Sequence, residues 1–449
     1  MTFEETLTAW MPSQRWFAGK GARILDLTIA TDTTLSGSDP GLRHMLVTVT
    51  QASSVDCYQL LIGLRAEVPD RLEHAVIGPF NDELTAYDGL HDPELTRLLL
   101  RAMARGEQAG PLRFEAESGA AIDTDADSLV LTGEQSNTSL MFGETSILKM
   151  FRRPSPGPNP DLEVPRALAR LGSPHIAPPL GWIETRADGG TTVLGILSTY
   201  LRAATDGWSL AATSVRDLYA DADAADVQAA ADAGGDFAGE AHRLGSATAE
   251  VHKALAEAFG TDVLPAAATA DLARQMFERL DVAMATVGEL RAHADKLDGA
   301  FSDLAKLNLP LDVQRVHGDY HLGQVMRTQT GWVVLDFEGE PASPLAQRRA
   351  MSPPLRDIAG MLRSIDYAAR YQLLGFPGNE RTHEAARQWV ARNQDAFCAG
   401  YGAGGGNDPE MQATLLRALV LDKAVYEVMY EARNRPDWLA IPLGSIADA

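Results

Sequence analysis

The chemistry of this sequence is concentrated in three side chains around position 320. Asp319 stands in His317-Gly318-Asp319, Gln324 follows five residues later, and Asp336 closes the apolar run 332–335. A carboxylate that orients an attacking hydroxyl, followed by two oxygen donors for a hard divalent cation, is what phosphoryl transfer requires. The Gln amide carbonyl can serve such a cation. On this reading Asp319 is the catalytic base, and Gln324 and Asp336 hold Mg2+. His317 and His321 raise the possibility of zinc, but no third ligand at a zinc-like spacing accompanies them. His317 is expected to orient the loop, and His321 is assigned to the substrate side.

The arrangement parallels the kinase set H-R-D-x-x-x-x-N followed by D-F-G, with Gly for Arg and Gln for Asn. Other parts stand upstream in kinase order. Residues 128–132 read as a strand, 133–139 as a polar loop, 140–142 as a resumed strand and Ser146–Phe151 as a third strand carrying Lys149. The loop lacks G-x-G-x-x-G, so Gln135, Ser136, Asn137, Thr138 and Ser139 would meet phosphates through hydroxyls and backbone N–H groups. Asn159 and Pro160 are suited to the N-cap and first position of a helix. Glu163, in its first turn, would pair with Lys149. Taken singly, these are an ordinary hairpin, an exposed lysine and a carboxylate favouring a helix dipole. It is the order Lys149, Glu163, Asp319, Gln324, Asp336 that argues for nucleotide chemistry.

The elements that must position these residues follow from pattern. Residues 3–11 read as a helix, residues 23–67 as strands, and 92–105 as an amphipathic helix with Leu95, Leu98, Leu99 and Met103 on one face. Residues 194–201 form a buried strand that could join two lobes. Beyond Thr205-Asp206-Gly207-Trp208 the chain is expected to be mostly helical, over 237–259, 270–307, 353–371, 384–401 and 411–434, with an Ala/Asp-rich helix or loop at 222–233. The expected fold is α+β: a bilobal, protein-kinase-like fold with an N-terminal cap subdomain (1–110), an intermediate N-lobe (111–203) and a helical C-lobe (204–449).

With 449 residues, 45% of them apolar, the chain has ample material for a large core. A net charge of −22 disfavours nucleic acid and anionic membranes as partners, since both demand clustered cations. The first twenty residues lack a basic region followed by an apolar one, and no apolar run reaches membrane length, so neither a signal peptide nor a span is expected. Two distant cysteines, Cys57 and Cys398, offer no disulfide framework. A cytoplasmic protein with a small-molecule substrate is expected.

The sequence resembles the actinobacterial maltokinase family, relatives of aminoglycoside phosphotransferases that include the closely related glucosamine kinases. The resemblance runs through nearly the whole chain and rests on QRWFAGK (14–20), EQSNTSLMFGETSILKMFRR (134–153), ATDGW (204–208), HGDYHLGQV (317–325), DFEGEP (336–341), PLRDIAGMLRS (354–364) and KAVYEVMYEARNRPDW (423–438). It implies ATP and Mg2+ as cofactors and maltose as acceptor, giving maltose 1-phosphate for α-glucan synthesis. A glucosamine kinase forming the 6-phosphate, or less closely an aminoglycoside phosphotransferase, would share the catalytic motifs. The resemblance also places a sugar site in the C-terminal block, with Tyr426, Glu427, Glu431, Arg435 and Trp438 stacking on and hydrogen bonding a pyranose. Asp357 and Asp366 would join them. Together Asp357, Asp366, Glu427 and Glu431 could supply the carboxylates that an ammonium-bearing sugar prefers.

Overall fold

The structure, a computed structural model, describes residues 2–131, 136–187, 190–221, 237–340, 343–374 and 380–449. Gln135, Pro341 and the Ala/Asp-rich segment 222–233 lie outside the described residues. The chain forms two compact units, one of residues 1–166 and 177–202, the other of residues 167–176 and 203–449.

The first unit begins with the helix Phe3–Trp10, fixed by a capping box in which Thr2 and Glu5 satisfy each other's backbone N–H groups. It packs on a five-stranded antiparallel sheet ordered Asp26–Ser36, Gly41–Thr50, Val55–Arg65, Thr85–Asp88, Val76–Pro79. Alternation sorts the two faces. Met45, Val47, Leu60 and Ile62 meet Leu7, Met11, Trp16 and Phe17 in one core. Leu42 and Leu61 turn to a second core, which includes Leu95, Leu99 and Met103 of the helix Pro93–Arg105. Leu140, Leu148, Leu194 and Leu197 from a seven-stranded antiparallel sheet complete that core. Lys149 lies centrally in this sheet, on the strand Ser146–Phe151, opposite Ser139 of Asn137–Phe142 and Ile196 of Gly190–Thr199. The polar loop expected over 133–139 is therefore shorter than its composition suggested, because strand pairing starts at Asn137.

The second unit is mostly helical. The single helix expected over 270–307 is instead Ala267–Thr286 and Ala294–Leu307, separated by a 3-10 turn at Gly288–His293. Val287 turns extended there, and Leu290 is driven fully into the core. Likewise the helix expected from 411 starts at Ala413, after the 3-10 turn Pro409–Gln412 capped by Asp408. Leu355–Tyr371 runs through the middle of the unit and is buried over almost its whole length. No helix among the described residues is long and apolar enough to cross a membrane.

The helices Ala238–Phe259 and Glu380–Ala403 touch backbone to backbone. A Cβ at Gly245 would stand 2.0 Å from the Phe397 carbonyl oxygen, and one at Gly400 would stand 1.9 Å from that of His242. Only hydrogen fits at either position. Gly400→Ala should cost about 1–3 kcal/mol by overpacking, read as a lowered denaturation midpoint; an unchanged midpoint would contradict this crossing.

Candidate active site

In the second unit a short hairpin brings Gln324 and Asp336, the expected cation donors, together. Val325–Arg327 pairs antiparallel with Trp332–Val334, and the Leu335 N–H donates to the Gln324 carbonyl at 2.9 Å. The chain ends on either side of this ladder are Gln324 and Asp336, and the Gln324 amide N–H donates to Asp336 Oδ2 at 3.1 Å. With the amide nitrogen so committed, the Gln324 side-chain carbonyl oxygen is the atom that could meet a cation. Asp336 adopts a left-handed backbone, φ 59°. Non-glycine residues held there cost of order 1 kcal/mol or more and gather at functional sites. A carboxylate oxygen of Asp336 also lies within 4.8 Å of one of Glu338. An all-oxygen set of two carboxylates and an amide suits Mg2+.

Asp319 is held by a relay that starts in the buried helix Leu355–Tyr371. Asp357, 1% exposed, accepts the backbone N–H groups of His317 at 2.7 Å and Gly318 at 2.9 Å, and faces His252 Nε2 at 3.0 Å. His317 Nε2 donates to the Leu335 carbonyl at 2.8 Å, which leaves Nδ1 to accept the Asp319 N–H at 3.3 Å. Gly318 sits at φ 85°, where a side chain would be strained. One histidine thus ties the Asp319 loop to the residue preceding Asp336. Burial alone would raise the Asp357 carboxyl, but the His252 hydrogen bond and charge, with the Gly318 N–H, hold it below the usual carboxylate range.

Around the Asp319 carboxylate stand Lys423 and Glu340, which had no role assigned from the sequence, together with Tyr426 and His321, which were expected on the substrate side. Lys423 Nζ lies 3.5 Å from Asp319 Oδ1 and 3.6 Å from a Glu340 carboxylate oxygen. The Tyr426 hydroxyl donates to Glu340 at 2.9 Å, and Lys423 lies 4.7 Å from the Tyr426 ring centroid. Burial, reinforced by Glu340, pushes the Tyr426 phenol well above its ordinary range. Lys423 and Tyr426 share a helix face at i, i+3 in Ala413–Asn434, a spacing visible in the sequence. His321 caps the turn Leu322–Gln324, accepting the Gly323 N–H, with Nε2 4.0 Å from Asp319. Burial lowers its imidazole pKa, with Asp319 acting in the opposite sense.

The expected carboxylate-rich sugar pocket is not what the charges form. Asp357 is occupied by the Asp319 loop. Asp366, 4% exposed, accepts from Arg363 at 2.9 Å and Arg370 at 2.7 Å, and also takes the Ser445 hydroxyl. Arg363 grips Glu427 through two nitrogens, at 2.9 and 2.7 Å. Glu431, 2% exposed, accepts the Tyr367 hydroxyl at 3.1 Å and both Arg435 nitrogens at 2.9 and 2.8 Å. A buried carboxylate must be paired, and each of these four is held by arginines or by backbone and side-chain donors within this unit. Arg435 stacks over Trp438 at 4.1 Å, and the Tyr371 ring lies 4.7 Å from Trp438 and 5.8 Å from Trp208. Arg435 and Lys423 thus lie over the rings of Trp438 and Tyr426, the aromatic faces expected for a pyranose.

In the first unit Lys149 Nζ bonds Asp161 Oδ2 at 2.9 Å. Asp161 is in the first turn of Pro160–Arg170, and its N–H is capped by the Asn159 side chain at 2.8 Å. The sequence reading passed over Asp161 in favour of Glu163, which lies in the same turn. Thr138 and Ser139 are buried strand residues, and the Thr138 hydroxyl accepts from Arg152 at 2.8 Å. Among the described residues of the expected loop, Ser136 and Asn137 are those not buried.

The family model described as "Phosphotransferase enzyme family" matches residues 148–409, and "Maltokinase N-terminal cap domain" matches residues 10–92. A glucosamine kinase of Streptacidiphilus jiangxiensis is 33% identical over 369 residues, covering 78% of this chain and 80% of that protein. A glucosamine kinase of Mycolicibacterium smegmatis is 29% identical, covering 70% and 77%. A crystal structure titled glucosamine kinase (crystal form B) superposes with a TM-score of 0.71 at 25% identity, over 100% of this chain and 99% of that one. The fold and site define a kinase-like phosphotransferase acting on a hydroxyl acceptor. This chain belongs to the phosphotransferase enzyme family and carries the maltokinase-type N-terminal cap.

Proposed function

We propose that the chain is an ATP-dependent sugar kinase whose acceptor is maltose, giving maltose 1-phosphate and ADP. Asp319 accepts the proton of the anomeric hydroxyl as its oxygen attacks the γ-phosphorus in line; the bond to the ADP oxygen breaks. Lys149 draws in the α- and β-phosphates, with Glu163 and Asp161 as carboxylates of the adjoining helix turn and Ser136 and Asn137 toward the phosphates. Gln324 and Asp336 hold Mg2+, which when bound offsets charge on the phosphates. Tyr426, Arg435, Trp438 and His321 serve the sugar. The two unpaired cysteines suit a cytoplasmic setting.

The observation that carries the acceptor reading is Lys423, whose ammonium lies 3.5 Å from Asp319. A second ammonium, on glucosamine or a polycationic aminoglycoside, would meet like charge beside the catalytic carboxylate. The acidic residues that might have received it are held by arginines and backbone N–H groups. The names of the relatives favour glucosamine as the second reading. Turnover of ATP with maltose, glucose, glucosamine and kanamycin, measured side by side, tests this: maltose should give the highest kcat/KM, and strong turnover on glucosamine with none on maltose would overturn it.

A further inference from the structure

The cap reaches into the strand that carries Lys149 through two buried polar devices. The first is Arg152, which directly follows the strand Ser146–Phe151. Its Nε donates to the Thr138 hydroxyl at 2.8 Å, its Nη2 donates to Asp88 at 2.5 Å, and its guanidinium lies 4.8 Å from the Trp16 ring centroid. The Arg152 and Asp88 side chains are 2% and 5% exposed. The second is Gln59, from the strand Val55–Arg65. Its amide N–H groups donate to the carbonyls of Phe151 at 3.0 Å and Leu194 at 2.9 Å, and its backbone N–H donates to the Arg152 carbonyl at 2.9 Å. The ladder between Ser146–Phe151 and Gly190–Thr199 ends at the pair Met150 and Gly195, so Gln59 takes over where the strands stop pairing.

The orientation of Gln59 is itself fixed. Because its nitrogen donates twice, its oxygen must accept from His44 Nε2 at 2.8 Å. His44 is then neutral with its proton on Nε2, and burial holds its pKa at about 4. Trp16, His44, Gln59 and Asp88 all fall within the cap match, residues 10–92. A buried ion pair adds little net stability over apolar residues of similar volume. These contacts fix the geometry of the strands bearing Thr138 and Lys149.

We propose that the cap sets nucleotide affinity, with Arg152 and Gln59 as positioning residues that hold the Lys149 strand in register for phosphate binding. This rests on the reading of Lys149 as a phosphate ligand. Neither residue touches the reacting atoms; each acts through the strand.

The test uses the full-length chain and MgADP, measured by calorimetry. Gln59→Met, and separately the pair Arg152→Met with Asp88→Asn, remove each device without leaving a buried unpaired charge. Each should weaken MgADP binding about tenfold, the equivalent of one charge-assisted hydrogen bond, while KM for the sugar stays within about twofold. A merely structural role would lower the melting temperature and leave nucleotide affinity unmoved in the folded protein, and that result would overturn the proposal. Coupling is reciprocal, so the wild-type chain offers a check that needs no variant. Saturating MgADP should slow hydrogen exchange at the Gln59 amide and at the Leu90 amide, which donates to Asp88 Oδ1 at 3.2 Å, and unchanged exchange would refute the coupling even if the variants do not fold. Failure of the wild type to bind MgADP would overturn the kinase reading itself and the coupling with it. Wild-type binding with affinity unchanged in both variants would overturn the coupling alone.

Discussion

Asp319→Asn should lower kcat about a thousandfold, or ~4 kcal/mol of barrier, while MgADP binds as it does to the wild type. The substitution keeps the shape of the side chain and its place in the loop, since His317 and Asp357 hold the backbone. What it removes is the carboxylate to which the proposed mechanism assigns the hydroxyl proton. It also removes the partner of Lys423 at 3.5 Å, so a small loss in KM for the sugar should accompany the loss in kcat. Steady-state kinetics with a nucleotide titration separates the two. Near-normal turnover would remove Asp319 from the mechanism.

Asp357→Asn should damage both stability and catalysis although Asp357 is placed away from the reacting groups. The carboxylate accepts from three donors, His252, His317 N–H and Gly318 N–H. An amide exchanges one acceptor for a donor, so at least one buried N–H faces another. The cost should be about 2–3 kcal/mol in unfolding free energy. A loop displaced by as little as an ångström should lower kcat by roughly a hundredfold, with KM for ATP little changed. The acid side of the stability profile supplies a second readout. The folded carboxyl titrates below its ordinary value of about 4. Its contribution is therefore complete above that value and is lost as pH falls through the lower, folded value. The wild type should lose stability on acidification below about pH 4, and the variant should show a shallower loss. Wild-type kcat and an unchanged acid limb would contradict the role given to Asp357.

The grouping of Asp319, Gln324 and Asp336 was legible because its members are joined by local geometry. Asp319, Gln324 and Asp336 lie within one loop and one hairpin, so spacing along the chain translates directly into placement. The order of strands around Lys149 was legible for the same reason. What failed did so where burial or distant pairing decides. Asp357, Asp366 and Glu431 look like ligands in a sequence, since type is visible and exposure is not. Their partners are backbone groups or arginines, some of them tens of residues away. Asp161 and Glu163 occupy one turn, and spacing alone could not choose between them for Lys149. Lys423 belonged to a block already marked for sugar, yet its approach to Asp319 depends on packing between elements far apart in sequence. The break at Gly288 and the early strand start at Asn137 are tertiary overrides of local propensity.

Phosphoryl transfer from ATP to the anomeric hydroxyl of maltose is tested most directly by identifying the product. Phosphorus NMR on a reaction holding ATP, Mg2+, maltose and glucosamine together should show a single new sugar phosphate, coupled to the anomeric proton of maltose. A phosphate on carbon 6 of glucosamine, with maltose untouched, would contradict it.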